Sequence, residues 1–209
     1  MTEVTASIPT LRSSSRPAPR KTNAASQWLA PVGLIALSLI PVLAGAVRLN
    51  ELMGSPEITA NNARFVASPV PVTVHIVSVT VYTLLGALQF VPSLRRGRSS
   101  WHRIAGLFLV PAGALVALSG LWMNFFYPRP AGDGESLVVV RLIFGLAMLA
   151  SVVLAVLAIR RRDFIRHGAW MTRGYAIALG AGTQVFTMLP WVVIFGPIGA
   201  ATSCPARCS

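Results

Sequence analysis

The chain has 209 residues, of which 54% are hydrophobic and only 11% are charged. A soluble domain of this size cannot bury so much apolar surface, so the composition excludes a soluble catalytic domain and predicts an all-α, polytopic membrane bundle. The formal charge of +12 raises nucleic acid as a partner. The cations gather at the edges of apolar segments and form no basic stripe interleaved with stacking aromatics, which argues against nucleic-acid binding.

In chain order, residues 1–27 are rich in Ser, Thr, Pro and Arg and are predicted to form a disordered, basic cytoplasmic tail. Residues 28–198 contain five apolar segments, each with the length of about 20 residues that a helix needs to cross a bilayer. Residues 199–209 form an outer C-terminal tail. The five predicted transmembrane helices are Trp28–Val47, Val70–Leu94, Ile104–Phe126, Leu137–Ile159 and Gly174–Phe195.

The 18 Lys and Arg residues fall unequally on the two sides of these spans. One side has Arg12, Arg16, Arg20, Lys21, Arg95, Arg96, Arg98, Arg103, Arg160, Arg161, Arg162, Arg166 and Arg173. The other has only Arg48, Arg64, Arg129, Arg141 and Arg207. The positive-inside rule therefore predicts a cytoplasmic N-terminus and an outer C-terminus. The same arginines predict anionic phospholipid as a partner.

Three connecting or terminal segments carry predictions of their own. The connection over residues 48–69 is long for a membrane hairpin, so we expect a short helix or a lid there. The stretch "RRRDFIRHGAWMTR" predicts a short interfacial helix with Asp163 near its start. Cys204 and Cys208, in the outer tail, form either a local disulfide or part of a frayed end.

Polar residues inside the spans are the first candidates for a site. His75, Tyr82 and Gln89 recur every seven residues and so share one helix face. This face is either the wall of a polar or cofactor site or a source of interhelical hydrogen bonds. Arg141 lies about one turn into the fourth span, where it either snorkels to the headgroups or pairs with an acid. An outer cavity lined by His75 and Arg141 would bind an anion or a quinone headgroup.

Two further histidines, His102 and His167, lie at the inner edges of the third and fifth spans. Each precedes a stripe of small residues, which either lets helices pack closely or admits a flat ligand. Because neutral imidazole binds haem iron, these histidines are candidate axial ligands of one b-type haem. Interfacial histidines without a ligand are the alternative. The residues predicted to surround the haem are Gly106, Gly113, Gly174 and Trp170.

Four stretches carry a resemblance to a known family: "HIVSVTVYTLLGALQFVPSLRR", "WHRIAGLFLVPAGALVALSGLWM", "RLIFGLAM" and "AIRRRDFIRHGAWMTRGYAIALGAGTQ". Together they resemble an uncharacterised bacterial family of predicted membrane proteins, DUF2306, over about Val70 to Trp191. The resemblance implies a multi-pass protein of the bacterial cytoplasmic (inner) membrane and no particular activity. More distantly, the chain is similar to four-helix transmembrane cytochromes b, and the pair His102–His167 matches their inner haem. The fourth span here lacks the histidine that their outer haem needs.

These observations predict an electron carrier with one haem b, which exchanges electrons with a quinone or a membrane redox partner and is not a stand-alone enzyme. One alternative is an accessory or structural subunit of a homo-oligomer or a larger membrane complex. A small transporter is the other alternative. The sequence shows no nucleophile–base pair and no paired carboxylates within the spans, so we predict no catalytic residues.

Overall fold

A computed structural model describes residues 26–60, 62–91, 94, 99–129 and 134–195 of the chain. Within these residues the backbone forms helices and no strand. We number the helices α1 to α6, with the bounds Ser26–Met53, Ala63–Ala67, Pro69–Leu88, Ser99–Phe126, Glu135–Arg160 and Phe164–Phe195. The prediction of an all-α fold is confirmed.

Four of these helices are long and apolar enough to cross a membrane. Their candidate spans are Trp28–Met53 in α1, Pro69–Leu88 in α3, Ser100–Phe126 in α4 and Glu135–Arg160 in α5. The chain is therefore an α-helical membrane protein. Helix α6 contains all of the predicted fifth span. The count of five spans and the direction of the termini both stay predictions.

The predicted boundaries are correct to within two residues for α5, and they differ more at other helices. Helix α3 ends at Leu88, six residues before the predicted end, because Pro92 disfavours helical backbone at the preceding residue. Helix α4 starts at Ser99, so it includes His102. The predicted interfacial helix is not separate, because residues 164–195 form one helix of 32 residues.

The turn between α5 and α6 combines a helix C-cap with a helix N-cap. Arg162 adopts the left-handed conformation with a φ of 59°. Its N–H donates to the Ile159 carbonyl, and the Asp163 N–H donates to the Ala158 carbonyl, both at 3.0 Å. This is the hydrogen-bond pattern of a Schellman motif. The Asp163 carboxylate then accepts the backbone N–H of Arg166 at 3.0 Å, which caps α6 at the predicted start.

The five long helices pack as a closed ring. Helix α1 contacts α3, α3 contacts α4, α4 contacts α5, α5 contacts α6, and α6 contacts α1. Helix α3 also contacts α6 across the ring. The buried core is built around Tyr82 on α3 and Tyr175 on α6, whose ring centroids lie 5.8 Å apart. The Tyr175 hydroxyl donates to the Thr83 carbonyl at 2.8 Å, which joins α6 to α3.

The starts and finishes of the helices define two ends of the bundle. The α2 end is the end at which α1 and α4 finish and α3 and α5 begin. The opposite end contains the finish of α3 and α5 and the start of α4 and α6. Positive-inside counting predicts that the α2 end faces outwards.

Candidate functional site

A cavity of about 1030 Å³ lies between the helices in the half of the bundle towards the α2 end. Its walls come from all five long helices and are mainly aliphatic and aromatic. Among the described residues, its lining contains three arginines, Arg64, Arg129 and Arg141, and no carboxylate. His75 is also in the lining. His75 and Arg141, which were predicted to line an outer cavity, are both among its lining residues, and the ligand predicted there stays a prediction.

His75 is held by a hydrogen bond between α3 and α4. Its Nδ1 lies 3.0 Å from the Ser119 hydroxyl oxygen. That hydroxyl lies within hydrogen-bond distance of two carbonyls of its own helix, Leu115 at 2.5 Å and Val116 at 3.3 Å. We assign its single proton to these carbonyls, so Nδ1 of His75 is assigned as the donor to Ser119 and Nε2 as the nitrogen with a lone pair.

Tyr82 is not in the cavity lining, although it lies on the same face of α3. Its side chain is 1% exposed and occupies space left by two glycines. A Cβ at Gly113 would lie 2.8 Å from the tyrosine ring, and a Cβ at Gly174 would lie 3.3 Å from its hydroxyl. Among the described residues this hydroxyl has no hydrogen-bond partner. Gly113 and Gly174, predicted to border a haem, thus accommodate a side chain of the protein.

Gln89 and His102 meet at the opposite end of the bundle. The His102 Nδ1 donates to the Gln89 side-chain oxygen, which is a second hydrogen bond between α3 and α4. Of the three residues at seven-residue spacing, His75 and Gln89 therefore form interhelical hydrogen bonds. Their partners, Ser119 and His102, both lie on α4. The interpretation of this face as a source of interhelical hydrogen bonds accounts for both contacts.

The two predicted haem ligands have partners on different helices. His167 donates from Nδ1 to the Ala155 carbonyl of α5 at 2.9 Å, whereas His102 contacts α3. Helices α4 and α6 each pack against α5, and they make little direct contact within the described residues. Gly106, another predicted haem neighbour, borders open space, since a Cβ there would meet no atom within 4 Å. Trp170, the last of them, has the Arg173 guanidinium 4.4 Å from its ring centroid. Haem ligation stays a prediction.

The connection between α1 and α3 covers the α2 end, and its centre is a buried asparagine. Asn62 is 3% exposed, and its side-chain nitrogen donates to the Glu51 carboxylate at 2.7 Å and to the Glu57 carbonyl at 2.9 Å. Its side-chain oxygen accepts the backbone N–H of Thr59 at 2.7 Å. The predicted short helix in this connection is confirmed as α2.

Aromatic contacts fix α2 above the cavity. The guanidinium groups of Arg48 and Arg64 lie 4.8 and 4.6 Å from the centroid of the Phe65 ring. The ring also makes an edge contact with Tyr127 at 5.5 Å. Burial raises the pKa of Tyr127, although a backbone hydrogen bond and the charge of Arg64 oppose this. The Tyr127 hydroxyl is therefore protonated at neutral pH and donates to the Ser68 carbonyl at 2.6 Å.

The sequence did not identify Ser119, Asn62 or Arg64 as residues of this site. Of these three, Ser119 could have been identified from its depth in the bundle. His75 is six residues from the start of α3 and Ser119 is seven residues from the end of α4. In neighbouring antiparallel helices these positions lie at about the same depth. Matching polar residues by depth would have suggested the pair. Asn62 and Arg64 gave no such signal, because they lie in a connection without helical periodicity.

The predicted membrane protein family DUF2306 matches residues 72–204, which include most of the described bundle. No curated protein and no solved structure matches the chain. The resemblance to cytochromes b is not borne out by these comparisons, whereas the predicted resemblance to DUF2306 over about Val70 to Trp191 is confirmed. The chain therefore belongs to the DUF2306 family of predicted membrane proteins.

Proposed function

We propose that the protein binds an anionic amphiphile, a molecule with one apolar tail and a negatively charged headgroup, in the cavity at the α2 end. The observation that carries this proposal is the composition of the lining. Its walls are mainly apolar, and three arginines are its only charged residues within the described part of the chain.

The deeper walls suit an aliphatic tail. Val79, Val116, Met148 and Leu179 line the cavity below the level of the arginines. The volume of about 1030 Å³ is at the upper end of the roughly 300–1,000 Å³ that is typical of small-molecule sites. Relative to water, burying each methylene group of a tail there contributes about 0.8 kcal/mol. A bilayer or a detergent micelle solvates the same tail, so the headgroup contacts decide which amphiphile the cavity selects.

The arginines favour an acidic headgroup over a neutral one. Arg129 lies 3.9 Å from Glu135, but both side chains are mostly exposed, so this ion pair is weak. Arg64 is held in place by its contact with Phe65. Guanidinium groups form charge-assisted hydrogen bonds with carboxylates and phosphates, and these are stronger than bonds to a neutral quinone carbonyl.

Palmitate and hexadecanol are a matched pair of probes that test the proposal. Both have a sixteen-carbon tail, and only palmitate is anionic. We expect purified protein in a non-ionic detergent to bind radiolabelled palmitate at least tenfold more tightly than hexadecanol, since a hydrogen bond to a charged group contributes about 1.5–3 kcal/mol. A soluble quinone analogue with a similar tail should compete no better than the alcohol.

The variant Arg141→Gln should weaken palmitate binding about tenfold and leave hexadecanol binding unchanged. Arg103→Gln is the matched control, because Arg103 is an exposed arginine near the start of α4, away from the cavity. Equal binding of the acid and the alcohol, or equal effects of the two substitutions, would contradict the proposal.

A second proposal is an electron carrier with one haem b, and one observation favours it. Both His102 and His167 donate from Nδ1 to an oxygen acceptor, the Gln89 side chain and the Ala155 carbonyl respectively. Metal-binding histidines typically have such a partner on the other ring nitrogen. A reduced-minus-oxidised spectrum of protein expressed with haem supplied is the test. Absence of a haem band would exclude this proposal.

A further inference from the structure

The proton position on His75 has a consequence for the ligand. We infer that the cavity is selective for anionic amphiphiles that carry a hydroxyl group beside the acid, and that His75 Nε2 accepts the hydrogen bond from this hydroxyl. This inference rests on the proposed function and specifies its substrate class.

The two ring nitrogens of His75 have different hydrogen-bonding roles. Ser119 is assigned as the donor to carbonyls of its own helix, so His75 donates from Nδ1 to Ser119. Neutral imidazole has one N–H, and therefore Nε2 can only accept. Among the described side chains the partner of His75 is Ser119, at Nδ1, and the Val116 carbonyl is a second acceptor for the imidazole N–H. A ligand that contacts Nε2 is thus bound best when it supplies an O–H or N–H donor.

His75 and Arg141 lie at about the same depth in the bundle. His75 is the seventh residue of α3, and Arg141 is the seventh residue of α5. Both helices start at the α2 end, so at 1.5 Å per residue the two Cα atoms lie about 9 Å below their helix starts. Because Arg141 recognises the acid at this level, the donor that reaches His75 lies near the acid and not far along the tail.

The His75 imidazole has space beside it on the side of α4. Gly120 is the seventh residue from the end of α4 and lines the cavity at the same level. A Cβ at this position would lie 3.5 Å from His75 Cε1. The missing side chain therefore leaves space beside the ring. Asn124, one turn nearer the α2 end, also lines the cavity, and its side-chain nitrogen donates to the Val138 carbonyl, so its oxygen is a second acceptor nearby.

Three acids of equal chain length test the inference on the unmodified protein. They are palmitate, 3-hydroxypalmitate and 3-methoxypalmitate. The methoxy compound keeps the oxygen but has no proton to donate. We expect 3-hydroxypalmitate to bind about three- to tenfold more tightly than palmitate, as one neutral hydrogen bond provides, and the methoxy compound to show no gain. Competition against radiolabelled palmitate measures all three.

The variant His75→Phe tests whether His75 causes the preference for the hydroxy acid, because phenylalanine keeps a ring of similar size and has no hydrogen-bond acceptor. The measurement is the ratio of the two affinities within this variant, in which 3-hydroxypalmitate should bind no more tightly than palmitate. A hydroxyl preference that persists in this variant, an equal gain from the methoxy group, or no gain at all overturns the inference. If palmitate binds and the hydroxyl adds nothing, only this inference fails; if no acid binds, the proposed function fails as well. Should the variant not fold, the three acids on the unmodified chain still decide the matter.

Discussion

At the scale of single residues, two glycines on α4 have contrasting surroundings. A Cβ at Gly113 would lie 2.8 Å from the Tyr82 ring and 3.2 Å from Val152, whereas one at Gly106 would meet no atom within 4 Å. We expect Gly113→Ala to destabilise the bundle by about 1–3 kcal/mol, because the closely packed core must shift. Gly106→Ala is the control and should be neutral or stabilising by up to about 1 kcal/mol. Thermal unfolding in detergent compares the two, and an equal shift would contradict the packing of Tyr82.

The sequence predicted which residues share a face, but it did not predict what they contact. A spacing of seven residues was enough to group His75, Tyr82 and Gln89 on α3. At the α2 end, the predicted start of α3 and end of α4 lay within one residue of those observed, whereas at the opposite end the finish of α3 and the start of α4 were wrong by six and five residues. An error of that size moves a residue by more than one helical turn, which hid the contact of Gln89 with His102. Tyr82, with two glycines as neighbours, could not be separated from a cofactor wall, because the sequence does not show which helices meet.

At the scale of helices, the turn from α5 to α6 contains avoidable strain. Arg162 has a φ of 59°, which is unfavourable for a residue with a Cβ and is the conformation that glycine adopts readily. We expect Arg162→Gly to stabilise the protein by about 0.5–1 kcal/mol. Arg161→Gly removes the same charge from a residue with a φ of −84° and should give no gain. The measurement is the unfolding midpoint of both variants; a larger gain at position 161 would argue against the Schellman motif.

The connection over residues 48–69 makes a separate prediction about the cover of the cavity. Asn62 makes three hydrogen bonds to Glu51, Glu57 and Thr59, and a substitution leaves those groups unsatisfied. We expect Asn62→Ala to favour local opening by about 1–3 kcal/mol, so that trypsin cleaves after Arg64 at least about fivefold faster. Asn50→Ala, at an exposed position near the end of α1, should leave the cleavage rate unchanged. Equal rates for all three proteins would show that Asn62 does not hold this connection.

At the scale of the whole molecule, hydrophobicity predicted the class of fold but not the order of helices in the ring. Apolar segments of membrane length were sufficient to identify the α-helical bundle. Which helices touch depends on small residues and on polar partners from distant parts of the chain, such as Gly86 beneath Tyr175. The cavity follows from that order, since its walls come from all five long helices. Only its two predicted residues, His75 and Arg141, were accessible from the sequence.

Five apolar segments predict five crossings, and the charge asymmetry predicts that the N-terminus is cytoplasmic and the C-terminus outside. An even number of crossings would place both termini on one side. Cys204 and Cys208 are the two cysteines of the chain and lie outside the described residues, in the predicted outer tail. After reduction with a membrane-impermeant phosphine, an impermeant maleimide should label them in intact cells.

The double variant Cys204→Ser, Cys208→Ser removes these thiols and should abolish the labelling. Adding Ser14→Cys to it places a single thiol in the predicted cytoplasmic tail, and that thiol should react only after the cells are permeabilised. Labelling of both tails from outside, or of neither, would mean an even number of crossings and would remove α6 from the set of spans. Labelling of the N-terminal tail alone would keep five crossings and reverse the bundle, because the arginine-rich connections would then face outwards and the cavity at the α2 end would open towards the cytoplasm.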